Sequence, residues 1–397
     1  MTDLSLLTEA IRQESLDGWL FCNFAHRDRL TDQTLGLDPD AVSTRSWFYL
    51  LFANGDAVKV MHAMETEVLS SLPGTVRTYT GREELIDTLS GFSGQKFAVL
   101  HDPVLTVLST MSGGHLSTIE SCGIHTVSAA GVLQRVNLFK TDTDYDSHEK
   151  AAVILYRAVS GAWKHISDAL HAGTRITEGT IRDYLLEFMA AEGLVTDHPP
   201  IVAAGANTAN PHYSVPEEPP RTGGAIIGQD TLVQFDLWGK LPGGIYADIS
   251  WVGYTGPRCP KEYQERFALV RDARDLVVSA VDDAFRTGTV ITGAALDERV
   301  RAFLLSGTSR NRIIDPAWIR HRTGHAIDRE CHGSGANLDS VEFPDSRPIL
   351  EGSCFSVEPG IYCNDYGMRT EINVYIRHGI PVVSGLPIQH TILELQD

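Results

Sequence analysis

Apolar positions recur at helical spacing over Leu4–Gln13, and Gly18-Trp19-Leu20-Phe21-Cys22 after them reads as a short buried strand. Trp47-Phe48-Tyr49-Leu50-Leu51-Phe52 and Ala57-Val58-Lys59-Val60 flank Asn54-Gly55-Asp56, residues that tolerate the left-handed conformations of a tight hairpin. Residues 83–89 read as a helix and 96–100 as another strand. The segment before Lys140 therefore predicts an α/β domain of mixed strand order. It contains no glycine-rich phosphate loop. Its histidines His62, His101 and His115 stand alone, as surface or core histidines do.

The pattern turns polar over Lys140-Thr141-Asp142-Thr143-Asp144, the expected linker, which predicts domains at 1–143 and 144–397. From Ser147 a long helical pattern runs through Ala151, Leu155, Ala158, Val159, Ile166 and Leu170. Gly173-Thr174-Arg175-Ile176-Thr177 ends it and caps a second helix over 181–191. The phrase returns as Gly288-Thr289-Val290-Ile291-Thr292, between expected helices over 262–285 and 296–305. At that offset Ala158 falls on Ala273, Ile166 on Val281, Ala169 on Ala284 and Leu170 on Phe285. A repeat of this size implies a duplicated supersecondary unit, hence two related halves that meet at a cleft. Between the helical blocks, 231–237 and 245–252 read as strands joined by Lys240-Leu241-Pro242-Gly243-Gly244. A strand-rich centre with helices outside is an α+β arrangement.

At 397 residues the chain has room for two cores. A formal charge of −18 argues against a nucleic-acid backbone or an anionic membrane as partner. The six cysteines are scattered without a C-x-x-C pair, as in reduced cytosolic proteins. Met1-Thr2-Asp3-Leu4 opens a polar segment without a basic or apolar leader pattern, and no long apolar run follows. A cytoplasmic location is expected.

The chemistry concentrates toward the C-terminus. His321-Arg322-Thr323-Gly324-His325 runs on to His332, followed by Val357-Glu358-Pro359-Gly360 and Arg369-Thr370-Glu371. Imidazoles and carboxylates are the groups that hold divalent metals. Asp236 and Asp248 interrupt otherwise apolar strands, where a carboxylate is costly unless it is paired or binds a cation. Together with His325, Glu358 and Glu371 they are the right number for a two-metal site with shared carboxylates.

The order of these phrases resembles the pita-bread metallopeptidases: aminopeptidase P, prolidase and methionine aminopeptidase. The resemblance is close from Ser147 onward and loose before it, and the N-terminal domain favours the aminopeptidase P and prolidase branch. It implies a creatinase/prolidase-like α/β domain followed by a pseudo-symmetric pita-bread catalytic domain. It also implies metal ligands at Asp236, Asp248, His325, Glu358 and Glu371, with Asp248 and Glu371 bridging two divalent ions and the hydroxide between them. Glu358 would move the water's proton, His212 would hydrogen-bond substrate, and His332 would stabilise the tetrahedral intermediate. His321 would line the substrate pocket, while Arg369 would orient Glu371 or a substrate carboxylate. The implied reaction is hydrolysis of an Xaa-Pro bond in a small peptide with proline second, by a homodimer that needs no nucleic acid or membrane. Manganese suits the oxygen-rich set best, with Co, Zn and Fe as alternatives. The chain departs from the family pattern at Ile249-Ser250-Trp251, Asp328-Arg329 and Ile372-Asn373, all three bearing on pocket shape. A metal-dependent hydrolase or lyase acting on a small non-peptide molecule is the second reading, for which Asp328-Arg329 is the suggestive feature. A silent binding protein of the same fold is the third.

Overall fold

The computed structural model describes residues 4–138, 141–216, 223–306 and 314–395. The chain divides into two compact units, Met1–Val136 and Asn137–Asp397. In the first, helices α1 (Leu4–Gln13), α2 (Arg29–Leu35), α3 (Arg82–Ser90), α4 (Gly113–Ser121) and α5 (Ala130–Val136) accompany six strands. These are β1 (Gly18–Asn23), β2 (Trp47–Phe52), β3 (Ala57–His62), β4 (Thr75–Tyr79), β5 (Lys96–Val99) and β6 (His125–Ser128), in sheet order β4-β3-β2-β1-β5-β6. The β1–β2 and β2–β3 pairings are antiparallel and the outer ones parallel, so the sheet is mixed as the apolar pattern predicts.

The second unit begins with α6 (Asp142–His171) and α7 (Glu178–Ala191), then β7 (Ile201–Ala204), β8 (Leu232–Gly239) and β9 (Ala247–Tyr254). Next come α8 (Lys261–Thr287), α9 (Gly293–Ser306), β10 (Cys354–Val357), β11 (Gly360–Tyr362), β12 (Gly367–Arg369), β13 (Ile372–Arg377), β14 (Ile380–Val383) and β15 (Leu393–Glu394). Of the stretch expected to be a linker, Lys140 lies outside the described residues and the rest opens α6. Thr141 caps it by accepting the Asp144 N–H, and Asp142 and Asp144 occupy the first turn, where the helix dipole favours carboxylates. Because a capping threonine and first-turn acids look like linker composition, the helical pattern seemed to start at Ser147. The start of α6 at Asp142 and the division at Val136/Asn137 both precede the expected 143/144 boundary.

The internal repeat has a structural counterpart. Buried positions of α6 map onto buried positions of α8 at the offset that carries Gly173 to Gly288: Ala152 on Phe267, Leu155 on Val270, Ala158 on Ala273, Ala162 on Val277 and Ile166 on Val281. Thr177 accepts the Thr180 N–H and Thr292 the Ala295 N–H, so both second helices start on the same kind of cap. Each helix pair seals its own apolar core. One core joins α6 and α7 to Val233, Phe235, Leu237, Ala247 and Ile249, and the other joins α8 and α9 to Phe355, Ile372, Val374 and Ile376.

Strand alternation does the rest. If Phe235, Leu237, Ala247 and Ile249 face one helix pair, then Asp236, Asp248 and Ser250 must face away from it. By the same rule Ile372 and Val374 turn to the other pair and leave Glu371 and Asn373 on the opposite face. The β15-β9-β8-β7 and β10-β13-β14 sheets thus present polar faces to each other, joined by a bridge at Ser250–Glu371. Among the described residues no helix is long and apolar enough to cross a membrane.

His148 ties this frame together. Its Nδ1 lies 2.6 Å from the Tyr246 carbonyl and must donate, so Nε2, 2.7 Å from Ser384 Oγ, accepts from that hydroxyl. The ring is neutral, and burial lowers its pKa from 6.5 to about 4. The unfolded chain therefore binds a proton that the folded one refuses as pH falls through that interval, and stability is lost. In His148→Gln, which keeps a donor and an acceptor but does not titrate, this loss is absent. The wild-type advantage over the variant should shrink by roughly 3 kcal/mol between pH 6.5 and 4, measured by urea unfolding. A pH-independent difference would remove His148 as the cause.

Candidate metal centre

Register places the acids. Asp236 pairs with Ser250 across the β8–β9 ladder and Trp238 pairs with Asp248, so the two aspartates sit diagonally on one face. Glu371 reaches the same spot from the other sheet, its N–H donating to the Ser250 carbonyl at 3.1 Å. Arg369 lies two residues earlier on the same side, while Thr370 between them turns away to accept from Arg274 Nη1 at 3.0 Å. That alternation explains the Arg-x-Glu spacing.

His325 and Glu358 arrive on backbone that approaches closely. The Glu358 N–H donates to Thr323 O at 2.7 Å, and the His325 N–H donates to Ser356 Oγ at 3.0 Å. Gly324 makes this contact sterically feasible: a Cβ there would lie 2.0 Å from the Ser356 carbonyl oxygen.

The five expected ligands come together. Donor atoms of Asp236, Asp248 and Glu371 lie within 4.8 Å of one another, and so do those of His325, Glu358 and Glu371. A third such group joins Asp248 and His325 to Cys331. His325 Nε2 is 3.5 Å from both Asp248 Oδ2 and Glu358 Oε1. Asp248 and Glu371 each belong to two groups. They also carry orphaned atoms: Asp248 Oδ1 and Glu371 Oε1 are buried without a hydrogen-bond partner. An unpaired buried carboxylate oxygen is costly, and a cation between these atoms removes the cost. The residues fit a divalent metal.

Electrostatics without an ion point the same way. Burial, reinforced by Asp248, Glu358 and Asp236, holds Glu371 well above the usual carboxylate range. Burial lifts Asp236 to about 6 against the pull of Arg369, with Asp248 adding to the rise. Glu358 runs the other way, to about 2, because His325, His321 and Arg369 outweigh its burial. Ser250 Oγ lies 2.8 Å from both Asp236 Oδ1 and Glu371 Oε2 with one proton to give, and accepts from Arg369 Nε at 2.9 Å. Arg369 also forms an ion pair with Asp236. It reaches Glu358 as well, at 3.9 Å.

The histidines divide by role. His321 Nδ1 donates to the Arg322 carbonyl at 2.7 Å, so Nε2 accepts from the Tyr362 hydroxyl at 2.8 Å. Tyr362 in turn accepts from Arg369 Nη1 at 3.3 Å. Burial keeps His321 neutral, lowering its pKa to about 4. His332 is exposed, its ring tilted against that of His325 with centroids 4.3 Å apart. His212 is exposed on the loop after β7 and belongs to none of the metal-ligand groups.

Two buried carboxylates hold the histidine-bearing loops. Glu178 accepts from Ala204 N, Asn207 Nδ2, Ala225 N and the hydroxyl of Tyr213, the residue after His212. Asp297 accepts from the N–H and hydroxyl of Thr323, between His321 and His325, and from Ser340. These two were missed in the sequence, as was Tyr362, while Ser250 and Asn373 were read only as departures bearing on pocket shape. Asn373 accepts the Asp248 N–H at 2.9 Å and donates to the Asp248 carbonyl, clamping that residue from both sides. Its i, i+2 spacing from Glu371 is the signal that could have found it. Asp328 and Arg329 are occupied elsewhere. The Asp328 carboxylate accepts from Glu330 N and Ser334 N, and Arg329 reaches Asp144 at 2.9 Å and the Gly243 carbonyl.

A duplicated fold with two facing polar sheets and a buried carboxylate–imidazole cluster defines a pita-bread metalloenzyme. Residues 146–378 match the model of metallopeptidase family M24, and the chain belongs to that family. It is 27% identical over 251 residues to the Xaa-Pro dipeptidase of Lactobacillus helveticus, covering 62% of this chain and 59% of that protein. To the Xaa-Pro dipeptidase of Lactobacillus delbrueckii subsp. lactis it is 28% identical over 272 residues, covering 66% and 63%. The match thus spans less than two thirds of both relatives. The crystal structure of dipeptidase PepE from Mycobacterium ulcerans superposes with a TM-score of 0.69 over 99% of this chain and 96% of that one. At 21% identity, that likeness is one of fold.

Ser250 should be essential to the arrangement. Ser250→Ala leaves Arg369 Nε buried without this acceptor, which costs about 1–3 kcal/mol. We expect that loss in chemical denaturation, together with weaker metal binding by calorimetry, and recovery of both in Ser250→Thr. An alanine variant as stable as the parent would show the hydroxyl to be dispensable.

Proposed function

We propose that this protein is a metal-dependent exopeptidase that hydrolyses the Xaa-Pro bond of small peptides. The observation that carries the reading is that Asp248 and Glu371, the two residues with an orphaned buried oxygen, each belong to two neighbouring ligand groups in a member of a metallopeptidase family. Asp236, Asp248, His325, Glu358 and Glu371 would hold two divalent ions. When bound, the ions supply Lewis acidity, polarising the scissile carbonyl and lowering the pKa of the attacking water.

The protein's own groups move the proton and fix the substrate. Glu358 accepts a proton from the water as its oxygen attacks the carbonyl carbon, and delivers it to the prolyl nitrogen as the C–N bond breaks. His332 donates to the carbonyl oxygen as charge develops there, and His212 hydrogen-bonds the substrate from its loop. Arg369, Tyr362 and His321 form a chain of donors that keeps His321 in one tautomer with both nitrogens engaged, so it serves as a wall of the pocket. Asp328-Arg329 no longer favours a lyase, because both side chains are used in holding a turn.

Cleavage of Ala-Pro and Ala-Pro-Ala with added Mn(II) or Co(II) tests the reading and separates dipeptidase from aminopeptidase behaviour. Turnover of at least one is expected. Bound metal with no cleavage of any proline peptide would overturn it. His325→Ala should lose metal, whereas His332→Ala should keep it and lose roughly 10²–10³-fold in kcat. An empty site in His332→Ala would reverse the assignment of these two residues.

A further inference from the structure

We infer that Cys331 is a thiolate ligand for the ion held by Asp248 and His325, giving the oxygen-rich centre one soft donor. The inference rests on the metal-dependent reading above. Cys331 is 4% exposed, and its Sγ lies 3.2 Å from Asp248 Oδ2. Its sulfur, an Asp248 oxygen and a His325 nitrogen fall within 4.8 Å of one another. Donors around a tetrahedral ion, with metal–sulfur bonds of about 2.3 Å and metal–nitrogen bonds of about 2.0 Å, lie roughly 3.3–3.6 Å apart. The thiol is therefore at coordinating range before any ion arrives.

A second observation is independent of the sulfur. Asp248, 5% exposed, accepts from the thiol with Oδ2 and keeps Oδ1 buried without a hydrogen-bond partner, an oxygen whose burial a cation would compensate. The backbone around the cysteine is also fixed. Asp328 accepts from Glu330 N at 2.8 Å and Ser334 N at 3.1 Å, and Gly333 N donates to Ala326 O at 2.7 Å. The ordinary alternative is a cysteine that serves as a small apolar filler, since Cys331 does touch a cluster with Ile245, Tyr246 and Ile327. Cys331 instead faces a carboxylate that is itself a candidate ligand.

Binding balances simply. A metal–sulfur bond forms, the S–H proton leaves to solvent, and Asp248 Oδ2 exchanges the thiol for the ion. A soft donor shifts selectivity toward Zn(II) and Co(II) at the expense of Mn(II), against the preference expected from oxygens alone.

Adding Co(II) to the metal-free full-length protein tests this without reference to turnover. Wild type should develop a near-ultraviolet thiolate-to-cobalt charge-transfer band beside its visible d–d absorption. Cys331→Ser and Cys331→Val, the latter keeping the apolar filling, should bind Co(II) with d–d absorption alone. Zn(II) affinity should fall roughly ten- to hundred-fold in both and Mn(II) affinity far less. Co(II) binding to wild type with no charge-transfer band overturns the inference, and so does a band that survives in Cys331→Ser. A wild-type protein that binds no metal at all would instead overturn the metal-dependent reading itself.

Discussion

The site depends on like charges held closer than they would choose. Four carboxylates converge, with the Arg369 guanidinium and the Ser250 hydroxyl among them. Arg369 neutralises part of the excess and Ser250 shares one proton between two acceptors. The remaining imbalance shows in Glu371, held far above the usual carboxylate range by burial and its neighbours. Such a cluster is unfavourable as bare protein, so the fold must hold it together by other means, and a cation relieves what is left.

Those other means are the duplicated helix pairs. Each pair seals one face of a sheet with apolar residues, and period-two alternation then obliges the opposite face to meet its counterpart. Because Asp236 and Asp248 sit on the paired strands β8 and β9, their positions are set by ladder register rather than by side-chain attraction. The backbone clamps at Asp248, by Asn373, and at Glu371, by the Ser250 carbonyl, do the same work at single residues. Stability generated in the two cores is spent in bringing the carboxylates together at the seam.

Much of this was legible because it breaks a pattern. Asp236 and Asp248 stand out in apolar strands, and the Gly-Thr-x-Ile-Thr phrase marks both halves at the same turn. What the sequence hid has a common cause. Ser250 stands out only as a departure in pocket shape until register puts it opposite Asp236, and Tyr362 gains meaning only through Arg369 and His321. Glu178 and Asp297 read as ordinary helical acids, since nothing local tells a buried carboxylate from an exposed one. The start of α6 was obscured for the opposite reason, a cap and first-turn acids that resemble a linker. Pairwise, long-range facts are the ones that composition and periodicity leave out.

The departures from the family pattern show how far the scaffold and the chemistry are separable. Asp236 and Asp248 ride on strands and Glu371 on a bridge to Ser250, whereas His212, His321 and His332 ride on loops. Two of those loops are tethered by buried carboxylates, Glu178 beside His212 and Asp297 beside His321. The turn that carries His332 is tied by Asp328, whose side chain accepts backbone N–H groups. A charged residue at that position is therefore absorbed by the turn and leaves the ligands in place. Arg329 is taken up in the same way, by Asp144 at the start of α6. The metal-facing set can thus stay constant while the substrate-facing loops vary, each loop needing only its own anchor.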